Sequence, residues 1–131
     1  YEGKMMAADL HKLALAAAAK SHSPYSDFPV GVALLTTDGR SFSGCNIENV
    51  SYPEGWCAET TAISHMIMDG GGEIAEIAVL GLKADLCTPC GGCRQRLSEF
   101  GSKDTRVHLC NQDGIVETVT LGDLLPKSFS F

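Results

Sequence analysis

The spacing of hydrophobic residues along the chain changes its period several times. Leu10, Leu13 and Ala17 recur at helical spacing in an alanine-rich segment, and alanine is the best helix former. Later apolar runs are short and rich in β-branched residues, which is typical of strands, and turn sequences such as Asp38-Gly39 and residues 111–114 separate pairs of them. The pattern predicts eight elements in the order α-β-β-α-β-α-β-β, over residues 6–20, 30–37, 40–46, 57–68, 74–82, 89–100, 105–110 and 115–120.

Two of these segments indicate how the elements pack. Residues 57–68 are poor in charge after Glu59, so we expect this helix to be largely buried, and the glycines at 70–72 to end it. Residues 74–82 form an apolar run suited to a strand that is covered on both faces. We therefore predict an α/β fold with three layers (α/β/α), one central mixed sheet of about five strands, and a single domain over residues 1–131.

The composition limits the classes of function open to the protein. The formal net charge is −6 and the basic residues do not cluster, so no nucleic-acid partner is expected. No apolar run approaches the roughly 20 residues that span a bilayer, which argues against a membrane partner. Charged residues interrupt the alanine-rich N-terminal stretch, unlike a signal peptide. We expect a cytoplasmic protein, and we interpret about residues 1–5 of the range 1–131 as added leader residues.

Three of the six cysteines stand in two short motifs that are suited to metal chemistry. These are Cys57-Ala58-Glu59 and Pro89-Cys90-Gly91-Gly92-Cys93, each at the start of a predicted helix. Helix N-termini lower the pKa of a thiol and favour the thiolate that a metal requires. Three thiolates with one open position describe a catalytic zinc, whereas a structural zinc normally takes four protein ligands. We therefore expect one Zn²⁺ in each chain.

The position of Glu59 sets a geometric condition on this site. Glu59 is two residues after Cys57, which on an ideal helix is a rotation of about 200°. The two side chains cannot serve a site beside the helix, but they can serve one that lies off its N-terminal end. The hypothesis therefore requires Cys57 to lie at the first turn.

Other interpretations of the cysteines remain open at this point. The Cys90-x-x-Cys93 pair is also compatible with a thioredoxin-like redox pair or with half of a structural zinc site. Cys87 is a candidate fourth ligand that would close the metal shell. Cys45 and Cys110 end predicted strands and are interpreted as small buried hydrophobic residues. The four histidines show no ligand spacing.

The two motifs together form the signature of zinc nucleobase deaminases. With them, the chain closely resembles the cytidine deaminases, specifically the small homotetrameric branch with three cysteine ligands. The resemblance runs from about residue 10 to the C-terminus and includes Ser23-Pro24-Tyr25-Ser26, Phe28-Pro29-Val30-Gly31, Gly44-Cys45-Asn46-Ile47-Glu48-Asn49, Ser51-Tyr52-Pro53 and Leu124-Leu125-Pro126.

This resemblance implies hydrolytic deamination of cytidine and 2′-deoxycytidine to uridine and 2′-deoxyuridine, with release of ammonia, in pyrimidine salvage. It implies that Cys57, Cys90 and Cys93 hold zinc, which lowers the pKa of a bound water. Glu59 is the implied catalytic residue, which takes a proton from water, protonates N3 of the cytosine ring and shuttles a proton to the departing amino group.

The family also implies which residues bind the nucleoside. Asn46 and Glu48 would bind the ribose hydroxyls, since amide and carboxylate groups suit them. Phe28 would pack against the ring, and the backbone of Ala58 would bind the base. These roles come from the resemblance alone.

Contacts between subunits are a further implication. Tyr52 and Phe129 resemble residues that reach the site of a neighbouring subunit in a homotetramer.

One position departs from the family pattern. Members of this branch commonly carry arginine directly after Cys-Ala-Glu, where this chain has Thr60. Three thiolates on a divalent ion leave a net charge of about −1, which an arginine bonded to the thiolates would offset. Here compensation must come from helix dipoles, backbone N–H groups, the Thr60 hydroxyl or another cation such as Arg94. We expect the enzyme activity to be retained, with a change in how strongly the zinc acidifies its bound water.

Rival functions are a deaminase of a cytosine nucleoside antibiotic of the blasticidin type, a non-catalytic structural zinc domain and a redox protein. The Asn46-x-Glu48 pair favours a plain nucleoside, since it matches a ribose. Editing of polynucleotides is disfavoured by the acidic charge.

Overall fold

A mixed five-stranded sheet forms the middle layer of the fold, in a computed structural model that describes residues 5–131. The strand order is β2-β1-β3-β4-β5, and only β3 and β4 pair in parallel. The elements are α1 (Ala7–Ala18), β1 (Val30–Thr36), β2 (Ser41–Cys45), α2 (Ala58–Met68), β3 (Ile74–Gly81), α3 (Gly91–Phe100), β4 (Arg106–Asn111), β5 (Gly114–Thr120) and α4 (Leu121–Leu124). The predicted leader at 1–5 lies, apart from Met5, outside the described residues.

The predicted order of elements and the three-layer α/β/α class are confirmed. Two short elements were not predicted: a 3₁₀ turn at Tyr52–Glu54 and α4 in the tail. In α4 the Thr120 hydroxyl accepts a hydrogen bond from the Asp123 N–H, and the Asp123 carboxylate accepts one from the Thr120 N–H. This capping box, Thr-x-x-Asp, is visible in the sequence and was overlooked.

Helices cover the sheet on both faces. On one face α1 packs through Leu10, Ala14 and Ala18, and on the other α2 and α3 pack through residues such as Met66 and Leu97. Alternate residues of β3 enter the two clusters, so this central strand is buried on both faces as predicted. Among residues 5–131, no helix is both long enough and apolar enough to cross a membrane.

The prediction that the second helix is largely buried is wrong for the single chain. Only one face of α2 is buried, through Ala58, Glu59, Ala62, Ile63 and Met66. Near its C-terminal end Ile67 and Met68 are 47% and 87% exposed. A low density of charge along a helix does not by itself show which residues face the core.

The N-terminal part of α2 lies directly against β2. Gly44 makes this possible, because a Cβ at this position would stand 2.7 Å from the carbonyl oxygen of Ala58 and 2.5 Å from the nitrogen of Ala62. The close approach holds the first turn of α2 against the sheet. That first turn carries part of the candidate site.

Candidate active site

The sulfur atoms of Cys57, Cys90 and Cys93 meet where the N-termini of α2 and α3 converge, and all three lie within 4.8 Å of one another. Cys57 is the N-cap of α2 and Cys90 is the N-cap of α3, so both lie just before their helices. Pro89 therefore precedes the cap and does not open the helix as predicted. Both capping cysteines have extended backbones, which turns their side chains toward the helix ends.

The geometry of the three thiols fits a tetrahedral metal. Zinc–sulfur bonds of about 2.3 Å place tetrahedral ligands about 3.8 Å apart, so a small closure of the sulfurs is enough. Among residues 5–131 this is the only group of three or more cysteine, histidine or acidic side chains whose ligand atoms lie close enough together to hold a metal. The set offers three ligands and leaves a fourth position for water or substrate.

Cys87 does not complete this set among the described residues. Its sulfur is not one of the three that lie within 4.8 Å of one another, and its side chain is buried, which raises the pKa of the thiol to about 11. The structural zinc domain therefore lacks the fourth ligand it needs. All six cysteines are free, so the Cys90–Cys93 pair is not a disulfide in this structure.

The electrostatics of the thiols favour a bound cation. The Cys93 thiol donates a hydrogen bond to Cys57, and this is the main reason that the pKa of Cys57 is lowered to about 6. The pKa of Cys93 is raised, first because it donates that bond and next because it is buried. Only one of this pair ionises readily in the metal-free protein. A divalent cation is needed for all three sulfurs to be thiolates together.

Glu59 lies in the first turn of α2, and its residue is only 4% exposed. Burial is the main cause that raises the pKa of its carboxyl above the usual range. A carboxyl group with a raised pKa exchanges protons more readily near neutral pH. Glu59 and Cys57 line the same cavity off the end of the helix, which is the arrangement that the sequence argument required.

This cavity has a volume of about 210 Å³, and the three cysteines that could hold a metal line it. Three of the predicted substrate residues also line it: Phe28, Asn46 and Ala58. Sequence reasoning missed three other lining residues, Val30, Cys87 and Thr88. A pocket of this size, with an aromatic ring and few polar groups, suits a small planar ligand.

Asn46 has a structural contact that the sequence did not reveal. Its Oδ1 accepts hydrogen bonds from the Val30 N–H at 2.9 Å and from the Ser21 hydroxyl, and its Nδ2 donates to the Phe28 carbonyl at 3.0 Å. An amide nitrogen carries two hydrogens, so one remains for a ligand. Asn46 therefore holds the segment that carries Phe28 while it faces the cavity.

Glu48 lies in a second cavity of about 270 Å³, with Tyr25, Ser26 and Tyr52 among its lining residues. Its carboxylate accepts hydrogen bonds from the N–H groups of Tyr25 at 2.9 Å and Ser26 at 3.1 Å, and from the Ser26 hydroxyl. These bonds, led by that of the Ser26 hydroxyl, lower the pKa of Glu48. In the single chain, Glu48 does not line the cavity of the thiols.

The two residues predicted to contact a neighbouring subunit also lie outside that cavity. Tyr52 is 75% exposed, and its ring centre is 5.9 Å from that of Tyr25. Phe129 is 72% exposed, and its carbonyl accepts a hydrogen bond from the Gln95 side chain. Their predicted roles stay predictions.

The cation that reaches the thiols is Arg96. Its Nη1 lies 3.7 Å from the Cys93 sulfur. Arg94, which the sequence analysis named, donates instead to the carbonyls of Pro89 at 2.7 Å and Leu124 at 2.9 Å, so that suggestion is corrected. Arg96 is three residues after Cys93, and this spacing on a helix was the signal that could have identified it.

Comparison with known proteins identifies the family. The family model for the cytidine and deoxycytidylate deaminase zinc-binding region matches residues 5–109. The chain belongs to this family. The cytidine deaminase of Halalkalibacterium halodurans is 40% identical over 121 residues, which are 92% of this chain and 92% of that protein.

Solved structures of members of this family have the same fold as this chain. The crystal structure of cytidine deaminase from Burkholderia pseudomallei has a TM-score of 0.89 and 43% identity, and the match covers 95% of this chain and 100% of that chain. The crystal structure of cytidine deaminase from Mycobacterium tuberculosis has a TM-score of 0.83 and 40% identity, with 93% of this chain and 95% of that chain covered. The family resemblance inferred from the motifs is confirmed.

Proposed function

We propose that the protein is a zinc-dependent cytidine deaminase that hydrolyses cytidine and 2′-deoxycytidine to uridine and 2′-deoxyuridine and releases ammonia, as one deaminase domain in pyrimidine salvage. The observation that carries this proposal is the meeting of three thiols and the buried Glu59 at one end of a single cavity. The named relatives are cytidine deaminases, which favours a plain nucleoside over an antibiotic as substrate.

Each group at the site has a task in this reaction. Zinc, held by Cys57, Cys90 and Cys93, supplies a Lewis acid that activates water for attack on the cytosine ring. Glu59 accepts a proton from the attacking water at its carboxylate and delivers it to N3 of the ring. It then takes the second proton from the hydroxyl added at C4 and passes it to the amino group, which leaves as ammonia. Burial raises the pKa of the Glu59 carboxyl, which favours its protonated form between these transfers.

The remaining lining residues orient the nucleoside. The Phe28 ring offers an apolar face to the pyrimidine, and the backbone of Ala58 lies beside Glu59 to bind the base. Asn46 has one free amide hydrogen for a ribose hydroxyl. We propose that Glu48, held in place by Ser26, binds the ribose with it.

The test is a direct assay of deamination with the zinc-loaded protein. Cytidine conversion is followed by loss of absorbance, and the Glu59→Gln variant keeps the shape of the side chain but removes its carboxylate. We expect kcat to fall by about 10²–10⁴-fold, the usual contribution of a general acid–base group, while zinc content and Tm remain near wild type. A zinc-loaded wild-type protein that leaves cytidine and 2′-deoxycytidine unchanged would overturn the proposal.

We further propose a homotetramer with sites shared between subunits. Exposed apolar side chains support it, since Tyr52, Ile67, Met68 and Phe129 are all between 47% and 87% exposed in the single chain. Light scattering of the intact protein measures the mass, and a monomer would contradict the proposal. Mixed tetramers of Glu59→Gln and Phe129→Ala chains test the sharing, because complementary sites would recover part of the activity.

We also propose a cytoplasmic location. Three cysteines that hold a metal must stay reduced, and the cytoplasm keeps thiols reduced. Fractionation of cells that express the full-length protein from its own gene would test this, and recovery outside the cytoplasm would contradict it.

A further inference from the structure

We propose that Arg96 is the positioning residue that balances the charge of the three-thiolate site and thereby sets how tightly the protein retains zinc. The inference rests on the zinc dependence of the proposed function but not on its substrate. Arg96 belongs to neither motif that identifies the metal site, and it approaches the site from the helix that carries Cys93.

An exposed arginine here contacts a buried cysteine directly. Arg96 Nη1 lies 3.7 Å from the Cys93 sulfur, and Cys93 is 1% exposed while the rest of Arg96 faces solvent. Arginine has five donors and stays protonated in proteins, so its charge is permanent. Hydrogen bonds from a cation to a thiolate are stronger than those between neutral groups.

The backbone and the neighbouring helix leave room for this guanidinium. A Cβ at Gly92 would stand 3.6 Å from Arg96 Nη1, which is an ordinary contact distance, so the backbone at position 92 does not crowd the guanidinium. Arg96 and Thr60 line one groove between α2 and α3. The short Thr60 side chain lines the groove from α2 and brings no charge, so Arg96 is the one basic residue among the described residues that line it.

In the described part of the chain, no acidic side chain forms an ion pair with Arg96 that would compete with the sulfur. Glu99 lines the same groove, but within residues 5–131 no ion pair of 4.0 Å or less joins the two. The guanidinium of Arg96 therefore contacts the sulfur of Cys93 and not a carboxylate. Arg94, two residues earlier, is occupied by two backbone carbonyls and does not share the task.

The sign of the effect follows from charge. Cys93 must lose its proton to bind a divalent ion, so its sulfur changes from a neutral thiol to a thiolate when the site is filled. A fixed positive charge beside Cys93 favours the filled site over the empty one. Partners of metal ligands typically change metal affinity by about 10–100-fold, and since Arg96 is exposed we expect the lower end, about tenfold.

The experiment measures zinc affinity by competition with a chromophoric chelator at pH 7.5, without use of activity. Arg96→Gln should bind zinc about tenfold more weakly than wild type, and Arg96→Lys should lie between them. Lys12→Gln removes the same charge from an exposed position on α1 and should match wild type. The double variant Thr60→Arg/Arg96→Gln returns a cation to the groove from its other wall and should recover most of the affinity.

The outcomes separate a charge effect from a structural one. Zinc affinity of Arg96→Gln within twofold of wild type would overturn the inference, as would a loss that neither Arg96→Lys nor the added Thr60→Arg recovers. The Tm of the metal-free Arg96→Gln protein should equal that of wild type, and a lowered Tm would instead show that Arg96 acts on folding. These results leave the proposed deaminase function standing, which the cytidine assay tests by itself.

Discussion

A methyl group added at Gly44 of β2 should displace the helix that carries part of the candidate site. A Cβ on Gly44 would stand 2.5 Å from the nitrogen of Ala62, whereas ordinary contacts of a Cβ begin near 3.4 Å. The Gly44→Ala substitution therefore forces β2 and α2 apart by about 0.9 Å, the difference between these two distances. The movement falls on the first turns of α2, which position Cys57 and Glu59.

The size of the effect can be worked out from this distance. Overpacking of a well-packed interior costs about 1–3 kcal/mol, so the free energy of unfolding should fall by that amount. A shift of about 1 Å at groups that position a substrate can lower the rate by about 100-fold. We expect kcat/KM for cytidine to fall by about 10–100-fold in Gly44→Ala molecules that are fully folded.

The assay combines activity with two controls. Urea unfolding gives the stability of each variant, and cytidine turnover is measured well below the Tm. Leu10→Ala opens a cavity on the α1 face, far from the site, and should cost about 2–5 kcal/mol with little loss of kcat/KM. Gly114→Ala meets no atom within 4 Å and should change neither quantity.

Two results would refute the reasoning. Wild-type kcat/KM in Gly44→Ala, with lowered stability, would show that the site tolerates movement of α2. An equal loss of kcat/KM in Leu10→Ala would show that activity follows overall stability and not the position of this helix.

Three further predictions concern the thiols and the sheet. Metal analysis after dialysis should show zinc lost from Cys93→Ser but one zinc per chain in Cys87→Ser; loss in the latter would contradict the three-ligand site. In metal-free protein the pKa of Cys57 is about 6, so this residue is a thiolate above that pH, whereas the pKa of Cys87 is about 11. Alkylation at pH 7 should therefore label Cys57 well before Cys87. Equal labelling of the two by mass spectrometry would contradict this. His108→Ala removes a buried 2.8 Å bond to Glu76 and should lower the free energy of unfolding by about 2–3 kcal/mol; a change below about 0.5 kcal/mol in urea titration would show that this bond adds little.

The sequence predicted the order of elements because hydrophobic periods and turn residues are local signals. It placed two helix starts too early, since cysteine is not a typical N-cap residue and nothing marked Cys57 and Cys90 as caps. The exposed face of α2 was also missed. Which apolar residues of a helix meet the core depends on the packing of the whole chain, and a low charge density does not encode it.

The candidate site was predictable where its residues are close in the chain and less so where they are not. Two short motifs named the thiols and Glu59, which the structure brings into one cavity. Arg94 was named for its nearness to Cys93 in sequence, yet Arg96 makes the contact because three residues, not one, bring a side chain back to the same face of a helix. The contacts of Asn46 with Val30 and Phe28 join distant segments, so only the fold reveals them.

The convergence of two helix ends on one group of thiols also ties folding to metal supply. Zinc bound by Cys57 and Cys93 would cross-link two helices that follow different strands. This cross-link would close the loop of chain between positions 57 and 93 and thereby stabilise the fold. A ligand that binds only the folded chain stabilises it by about 2.7 kcal/mol at a hundred times its Kd. The lifetime of this protein in a cell should therefore depend on free zinc, and starvation for the metal would lower its amount before any change in its gene expression.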